Sequence, residues 1–319
     1  MLRVPIVSGG AGFIGSNLVR CLANLDEVER VYCVDLPNSY RFEELSQLKK
    51  VEIVPVDLAD PASSNLLPTN VTSVFALAAM NGTPRFYTNP YTVLANSTLP
   101  TLAIIMKYAK IAPITYSSSS EVYATTIQDF PNADTVPTSE NIRASIGDIH
   151  NPRWSYATAK LLGEVAINSA CVEFGTKASI IRYHNIYGPN MGLGHFIPDF
   201  IHRAQRKEFI IEGGSSTRSF LHISDAIHGT ILAMKASSQE APIYHLGSSH
   251  EITIERAAYL ILRLMGIHGM KIKSIEEPVG SVKRRCPDIS KAKSDLGWEP
   301  KIELEVGIID YLKKNINIF

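Results

Sequence analysis

A tyrosine and a lysine stand four positions apart in a segment with a helical pattern, Tyr156-Ala-Thr-Ala-Lys160. At this spacing both side chains lie on one face of a helix, about one turn apart. A phenol with a pKa of about 10 is a poor base at neutral pH, but an adjacent ammonium group stabilises the phenolate. The pair predicts a base that takes a proton from an alcohol, although a pair of this kind on a surface helix is the commoner arrangement.

A second run of polar residues comes after a strand-like segment and reads Tyr116-Ser-Ser-Ser-Ser-Glu-Val-Tyr123. In an open parallel sheet, ligands bind beyond the carboxyl ends of the strands. A serine hydroxyl at such an end can hydrogen-bond the reacting oxygen of a substrate. For any single serine here, a polar loop without chemistry is the commoner explanation.

A glycine-rich loop, Ser8-Gly-Gly-Ala-Gly-Phe-Ile-Gly15, links the first predicted strand to an amphipathic helix. Its glycines permit a tight turn and close approach of the backbone to a pyrophosphate, which the helix N-terminus attracts. Asp35 ends the next strand, where a carboxylate accepts hydrogen bonds from the ribose hydroxyls of an adenosine. A 2′-phosphate would meet this like charge, and Arg41, the nearest basic residue, lies rather far along the chain. The loop therefore predicts NAD as the cofactor. With NAD bound, the Tyr–Lys pair predicts Tyr156 as the base that takes the alcohol proton while a hydride leaves to NAD.

Short apolar runs alternate with longer helical patterns through the first part of the chain. The helical patterns are the amphipathic run from Ile14 to Leu25 and those at 89–110 and 154–174. The strand candidates are Val4–Ser8, Val31–Asp35, Val51–Asp57, Val71–Leu77, Ile114–Ser118 and Ile180–Tyr183. Strand and helix in alternation predict an α/β fold, a Rossmann-like doubly wound parallel sheet.

The alternation breaks down after Tyr183, where glycine and proline become frequent. We therefore expect an NAD-binding domain over residues 1–182 and a smaller C-terminal α+β substrate domain over residues 183–319. The run Ser219–Lys235 looks helical, and residues 219–246 are expected to return to the first domain.

The 319 residues carry 31 Lys+Arg against 31 Asp+Glu, so the net charge is zero, which argues against binding a nucleic-acid polymer. No apolar run is long enough to span a membrane and no secretory leader is visible. The four cysteines are far apart, and the nine histidines form no metal motif, so we expect buried reduced thiols and no metal. These features predict a cytoplasmic protein.

The glycine loop, the serine run and Tyr-x-x-x-Lys, in this order, resemble the extended short-chain dehydrogenase/reductase family that modifies nucleotide sugars. The resemblance continues almost to the end of the chain. The segments that carry it are Leu77-Ala78-Ala79, Asn89-Pro90, Asn96, Arg182-Tyr-His-Asn-Ile-Tyr-Gly-Pro189, Thr217-Arg-Ser-Phe220, Ser224-Asp225, Arg284-Arg-Cys-Pro-Asp-Ile289 and Leu296-Gly-Trp-Glu-Pro300.

The resemblance implies a role for each matching position. Ser119, Tyr156, Lys160 and Glu121 match catalytic residues, and Asn185, Arg218 and Arg285 match contacts to the diphosphate or the sugar. The positions that match NAD contacts are Gly9, Gly12, Phe13, Ile14, Gly15, Asp35, Asp57, Leu58, Ala78, Ala79, Asn96, Ser117, Tyr156 and Lys160. Because the implied substrate is an anion, Arg218, Arg284, Arg285 and Lys160 are expected to converge on one cleft with the glycine loop.

The family shares oxidation at sugar C4, and a few residues decide the later steps. Ser120-Glu121 before Val122 is more similar to UDP-glucuronate decarboxylases than to 4,6-dehydratases, as are Pro152-Arg153-Trp154 and Thr83-Pro84 with Tyr87. In such an enzyme Glu121 and Arg285 would handle the proton and the charge. Asn190 replaces the usual arginine, so 4-epimerase and 4,6-dehydratase stay open, and a non-catalytic NAD-binding regulator is the alternative from another class.

Two more expectations concern the insert and the oligomer. Residues 124–153 form a longer insert than most relatives have, and their composition predicts a loop that covers the sugar. By analogy with the family, the helices near Asn89 and Trp154 would form the contact of a homodimer.

Overall fold

A computed structural model describes residues 1–129, 135–278 and 280–316. Its centre is a sheet of seven strands, all parallel, in the order β11-β6-β5-β4-β1-β2-β3. The strands are β1 Pro5–Ser8, β2 Val31–Asp35, β3 Val51–Pro55, β4 Ser73–Ala76, β5 Ile114–Ser119, β6 Ala178–Tyr183, β7 Ile186–Tyr187, β8 Ile210–Glu212, β9 Thr217–Ser219, β10 Leu221–His222, β11 Ile243–Leu246, β12 Glu251–Thr253, β13 Lys273–Ile275 and β14 Arg284–Arg285. The doubly wound α/β fold predicted from the sequence is confirmed.

Helices flank the sheet on both faces. They are α1 Phe13–Ala23, α2 Phe42–Ser46, α3 Thr83–Thr88, α4 Pro90–Tyr108, α5 Ala124–Asp129, α6 Trp154–Phe174, α7 Phe196–Gln205, α8 Ile223–Lys235, α9 Ile254–Leu264, α10 Ser290–Leu296 and α11 Leu304–Ile316. Two 3₁₀ helices, Pro61–Leu66 and Ser120–Tyr123, complete the regular structure of the described residues.

The two faces of the sheet bury separate cores, because successive side chains of a strand point to opposite faces. Val7 of β1 packs in one core, which also holds Leu18 and Leu22 of α1. Its neighbour Ile6 packs in the other core, together with Tyr108 of α4. A continuously apolar strand, buried on both faces, is what this layered architecture requires.

The chain reverses its direction of strand addition between β1 and β4. From β1 it adds β2 and β3 on one side, and from β4 it adds β5, β6 and finally β11 on the other. The carboxyl ends of β1 and β4 therefore flank the crevice at which open α/β sheets bind ligands.

The C-terminal part has a third apolar core, formed by one face each of α7, α9 and α11. Three small sheets accompany it, namely β7 with β10, β8 with β13, and β9 with β12 and β14. This part contributes Arg218 of β9 and Arg285 of β14 to the crevice. The strand β11 instead joins the main sheet beside β6.

Several boundaries differ from the sequence predictions. The helix expected from Ser219 begins only at Ile223, because β9 and β10 come first and the extended residue His222 caps the helix with its ring nitrogen. The third strand ends at Pro55 rather than Asp57, and the fourth spans only Ser73–Ala76. The loop predicted over residues 124–153 is wrong at its start, where α5 is helical.

Candidate active site

A cleft of about 980 Å³ runs along the carboxyl ends of the central strands and under the C-terminal part. Every site residue proposed from the sequence as a catalytic, cofactor or substrate contact lines it. They are Gly9, Gly12, Phe13, Ile14, Gly15, Asp35, Asp57, Leu58, Ala78, Ala79, Asn96, Ser117, Ser119, Glu121, Tyr156, Lys160, Asn185, Arg218 and Arg285. Their roles stay predictions, but the fold brings all of them to one surface.

The glycine loop turns tightly before α1. Gly9 has a φ of 70°, in the left-handed region, and a side chain on Gly15 would collide with the carbonyl oxygen of Gly9. Gly12 is the N-cap of α1 and offers no side chain to its first N–H groups. The helix N-terminus therefore faces the cleft unobstructed, which fits the pyrophosphate of a dinucleotide.

Asp35 closes the loop from the end of β2. Its Oδ2 accepts a hydrogen bond from the Ala11 N–H at 2.8 Å, and its Oδ1 accepts from the Leu36 N–H. The guanidinium of Arg41 also reaches the loop and donates to the carbonyls of Ala11 (2.7 Å) and Asn190 (2.6 Å). The carboxylate is thus held beside the loop, where an adenosine ribose fits.

The sequence interpretation considered Arg41 only as a partner for a 2′-phosphate, for which it lies rather far along the chain, and did not foresee these contacts. The guanidinium spans the glycine loop and the segment after β7, and so ties the two parts of the protein together at the cofactor end. On the opposite wall, the Asp57 carboxylate accepts a hydrogen bond from the Ala59 N–H at 2.9 Å.

The tyrosine and lysine of α6 meet the end of β5 at the middle of the cleft. The ammonium of Lys160 donates to the carbonyl of Ser117 at 2.6 Å and lies 5.6 Å from the centre of the Tyr156 ring. That ring stacks on Phe86, with ring centres 5.2 Å apart. Packing on one face and the lysine nearby fix the direction of the phenol.

Burial controls the proton affinity of this pair. It raises the pKa of Tyr156, as does the charge of Glu121, and a hydrogen bond with Ser119 opposes the shift. Burial lowers the pKa of Lys160 to about 7 against the opposing charge of Glu164. Tyr156 is therefore a protonated phenol in the protein alone, and a further positive charge beside it is required before it can act as a base.

Glu121 lies between two arginines at the far end of the cleft. Its Oε1 is 2.5 Å from Nη1 of Arg285 and 3.3 Å from Nη2 of Arg153. Burial raises the pKa of Glu121, but the charges of these two arginines outweigh it and bring the pKa to about 2. Glu121 is therefore ionised at neutral pH and orients the arginines, which argues against the proton-donor role suggested by the resemblance.

The surroundings of Glu121 carry more positive than negative charge. Arg218 is also close, and burial together with the charge of Arg285 lowers the pKa of Arg218 to about 9. Within the described part of the chain, Nε and Nη2 of Arg285 and Nε of Arg153 have no hydrogen-bond partner. Buried guanidinium N–H groups without partners are costly, and an anionic ligand would satisfy them.

Asn185 and Arg218 stand on neighbouring segments of the substrate side. Asn185 has a φ of 41° and its side-chain amide donates to the Ser219 carbonyl at 2.9 Å. Nη1 of Arg218 donates to the Thr217 carbonyl at 2.7 Å. Both side chains are thereby held at the wall of the cleft.

One arginine was assigned wrongly and another was missed. Arg284 is exposed and forms two hydrogen bonds with Glu251, so it does not line the cleft as expected. Consecutive residues of β14 point to opposite sides, which separates Arg284 from the buried Arg285. Arg153 lines the cleft instead of Arg284. It lies three residues before Tyr156, on the turn that starts α6, and this spacing is the signal in the sequence that could have identified it.

The insert does not cover the cleft in its described part. Of the described residues in 124–153, only Arg153 lines the cleft. Thr138 instead exchanges backbone hydrogen bonds with Cys286 and Asp288, and Glu140 accepts from the His245 N–H. The described part of the insert packs on the ends of β11 and β14, and the predicted lid does not match it; residues 130–134 lie outside the described residues.

Two observations bear on other classes of function. Among the described residues, no group of histidine, cysteine, aspartate or glutamate side chains is arranged to hold a metal ion. No helix in the same part of the chain is long and apolar enough to cross a membrane. The four cysteines are free thiols, three of them buried.

These features define a dinucleotide-dependent enzyme. The Rossmann-like sheet carries a glycine loop and an acid at the end of β2, and a Tyr–Lys pair lies beside a serine. The chain matches the NAD dependent epimerase/dehydratase family over residues 6–247. It belongs to this family, as its sequence resemblance predicted, and it is an NAD-dependent nucleotide-sugar enzyme.

Curated relatives resemble it over nearly their whole length. UDP-glucuronic acid decarboxylase 6 of Arabidopsis thaliana is 30% identical over 315 residues, which cover 95% of this chain and 86% of the relative. UDP-N-acetyl-alpha-D-glucosaminuronate decarboxylase of Bacillus cytotoxicus is 30% identical over 325 residues, covering 97% and 96%. The crystal structure of a UDP-glucuronic acid 4-epimerase from Bacillus cereus has the same fold, with a TM-score of 0.85, 22% identity and coverage of 99% and 100%.

The predicted cofactor, NAD, is confirmed by the family, which is NAD dependent. The residues of this chain fit NAD. The glycine loop presents free N–H groups where the pyrophosphate would lie, and Asp35 presents a carboxylate where the adenosine ribose would lie. The bound NAD supplies the hydride acceptor, and later the donor, for a substrate carbon.

Proposed function

We propose that this enzyme decarboxylates a UDP-hexuronate after oxidising the sugar at C4. The observation that carries the proposal is the buried Glu121 with Arg285 and Arg153 at the sugar end of the cleft. One carboxylate among three arginines, with Arg218 as the third, leaves a surplus of positive charge. A substrate that bears a C6 carboxylate as well as a diphosphate would use this surplus.

The two decarboxylases compared above, whose names specify UDP-linked uronates, support the same assignment. In the proposed reaction Tyr156 takes the proton of the C4 hydroxyl, Ser119 hydrogen-bonds the C4 oxygen, and Lys160 stabilises the phenolate. The C4 ketone makes the C6 carboxylate a β-keto acid, whose C5–C6 bonding pair passes into an enolate as CO2 leaves. A proton taken up from water at C5, and return to C4 of the hydride removed in the oxidation and to the C4 oxygen of the proton held by Tyr156, would then give the UDP-pentose.

The arginines have two functions in this scheme. Arg285 offers two nitrogens, Nε and Nη2, that have no partner among the described residues, and their N–H groups fit a carboxylate or the oxygen of an enolate. Glu121, ionised and wedged between Arg285 and Arg153, keeps both guanidiniums in place. An apolar or neutral sugar substituent at C6 would leave these charges unpaired, which disfavours substrates without the carboxylate.

The test incubates the full-length protein and NAD with UDP-glucuronate or UDP-N-acetylglucosaminuronate. We expect CO2 release from at least one of them, together with a UDP-pentose product in the proton NMR spectrum. UDP-glucose serves as the matched substrate without the carboxylate. It can release no CO2, and its oxidation at C4, followed as NADH absorbance, is expected to be at least about 10²-fold less efficient, because the buried guanidinium groups are left unpaired.

Other outcomes would reject the proposal. A product that keeps the carboxylate and is inverted at C4 would identify a 4-epimerase, which the likeness to the Bacillus cereus epimerase makes the second candidate. A 4-keto-6-deoxy sugar from UDP-glucose would identify a dehydratase. Binding of NAD without turnover of any of these sugars would favour the non-catalytic regulator.

We also propose that the protein is a homodimer through the outer faces of α4 and α6. Each helix carries an exposed apolar stripe at helical spacing: Tyr91, Leu99 and Met106 on α4, and Leu162, Val165 and Val172 on α6. The two helices pack on each other, so the stripes form one apolar surface. A second copy of the same surface would cover it as a four-helix contact.

A charge placed in this surface is expected to separate the subunits. Val165→Glu should turn a dimer into a monomer in sedimentation equilibrium, because the carboxylate would be buried without a partner. Val306→Glu on α11 is the control, since Val306 is equally exposed (58% against 60%) but lies outside the surface. A wild-type monomer, or a Val165→Glu dimer of unchanged stability, would contradict this interface.

A further inference from the structure

Three buried side chains that do not line the cleft are connected by hydrogen bonds beside it. Nη1 of Arg182 donates to the hydroxyl of Tyr123, and that hydroxyl lies 2.9 Å from Nε2 of His245. Arg182 is 4% exposed, and Tyr123 and His245 are completely buried. None of the three is needed to hold NAD or the sugar.

The partners of His245 determine which of its nitrogens carries the proton. Nδ1 lies 3.2 Å from the main-chain carbonyl of Asp288, which can only accept a hydrogen bond, so Nδ1 is the donor. Nε2 of the neutral ring is then the acceptor for the hydroxyl of Tyr123. Burial and the charge of Arg182 lower the pKa of His245 to about 3, so the ring is neutral at pH 7.

The two groups that bond the His245 ring, the Tyr123 hydroxyl and the Asp288 carbonyl, belong to residues close in the chain to Glu121 and Arg285. Tyr123 ends the 3₁₀ helix that carries Glu121, two residues earlier. Asp288 comes three residues after Arg285. Glu121 and Arg285 are 164 positions apart in the chain, so no local structure fixes their distance.

His245 is itself held firmly. It lies on β11, which is paired with β6, and its backbone N–H donates to Oε1 of Glu140 at 2.8 Å. The ring also packs edge-on against Tyr123 and against His184, with ring centres 5.4 and 4.7 Å apart. A side chain fixed to the main sheet thus bonds to both segments that deliver the ion pair.

We infer that His245 is a positioning residue for the Glu121–Arg285 ion pair. Its two ring hydrogen bonds, to Tyr123 and to the carbonyl of Asp288, hold the two segments at the separation that the ion pair requires. His245 touches neither substrate nor cofactor and acts only through these neighbours. The inference rests on the proposed function, in which the ion pair contacts the hexuronate.

The test replaces His245 with phenylalanine in the full-length protein, which removes both ring hydrogen bonds and keeps a planar ring. We expect kcat with the UDP-hexuronate to fall about tenfold or more, because a displacement of about 1 Å in a catalytic group can cost about 10²-fold. The KM for NAD should stay within about twofold, since the glycine loop and Asp35 make no contact with this chain of bonds.

Two further variants separate positioning from loss of packing. Tyr123→Phe removes the hydroxyl that bonds Nε2 of His245. Because both substitutions break the same hydrogen bond, the double variant that combines Tyr123→Phe and His245→Phe should lose no more kcat than the more affected single variant. His245→Gln, which keeps a donor and an acceptor, should retain more of kcat than His245→Phe. Tyr108→Phe is the control: it removes one buried hydrogen bond, to the Pro68 carbonyl, far from the cleft, and should leave kcat unchanged.

The outcomes are distinguishable. A kcat for His245→Phe within twofold of wild type, or losses that multiply in the double variant, would overturn the inference while leaving the proposed function intact. A wild-type protein that turns over no UDP-hexuronate would overturn the proposed function, and this inference with it. If His245→Phe does not fold, Tyr123→Phe decides, because an unchanged kcat in that variant also overturns the inference.

Discussion

Replacing Tyr156 with phenylalanine is expected to lower kcat about 10²–10⁴-fold, the range that a positioned general base contributes. The change removes only the hydroxyl, and the remaining ring keeps its stack on Phe86. Lys160 keeps its hydrogen bond to the Ser117 carbonyl, so the fold and the cleft are preserved. Turnover of the UDP-hexuronate, monitored by CO2 release, is the measurement.

Binding and stability distinguish loss of the base from loss of structure. The Kd for NAD and the thermal midpoint of Tyr156→Phe should stay close to those of the wild type. Tyr116→Phe is a matched control on β5, because its hydroxyl bonds the Lys160 carbonyl, at 3.3 Å, and the Thr101 side chain, and Tyr116 does not line the cleft. If Tyr156→Phe kept more than about a tenth of kcat, another group would have to be the base.

Replacing Arg285 with methionine is expected to lower kcat/KM for the UDP-hexuronate by about 30-fold or more. Removing one partner of a buried hydrogen-bonded charge pair costs about 2–5 kcal/mol, and each 1.4 kcal/mol is about tenfold. Glu121 would keep only Arg153, at 3.3 Å, as an ion-pair partner in the described residues. The substrate carboxylate would lose the guanidinium whose Nε and Nη2 have no partner in the described residues.

Arg284→Met is the control for this variant, since it removes the same charge one residue away. Arg284 is exposed and paired with Glu251, and exposed pairs contribute little, so kcat/KM should stay within about twofold. The comparison also tests the assignment of β14. If Arg284→Met were the inactive variant and Arg285→Met the active one, the proposed carboxylate site would be wrong.

The local features of this protein could be predicted from its sequence. The helix Trp154–Phe174 has the predicted bounds, and its C-cap glycine, Gly175, is a local signal for its end. The glycine loop and the Tyr–Lys spacing were likewise readable, since each depends on residues close together in the chain. The parallel sheet could be inferred from the alternation of strands and helices.

Features that depend on distant residues could not be predicted in this way. Arg153 pairs with Glu121 across 32 positions, and nothing in either segment specifies the other. Arg284 and Arg285 are the same residue type side by side, and only the direction of β14 decides which is buried. The start of α8 was misplaced because two short strands precede it, and their pairing partners are remote in sequence.

The place of β11 in the sheet has a consequence for synthesis of the chain. Until Ile243–Leu246 emerges from the ribosome, β6 is an edge strand with unpaired main-chain groups, the kind of edge that pairs with other chains. Addition of β11 closes this edge and brings His245 against Tyr123 in the same event. A nascent chain that stalls before β11 therefore leaves the main-chain groups of β6 open to pairing with other chains, and His245 is not yet in contact with Tyr123. The same step thus protects the chain from aggregation and completes the site.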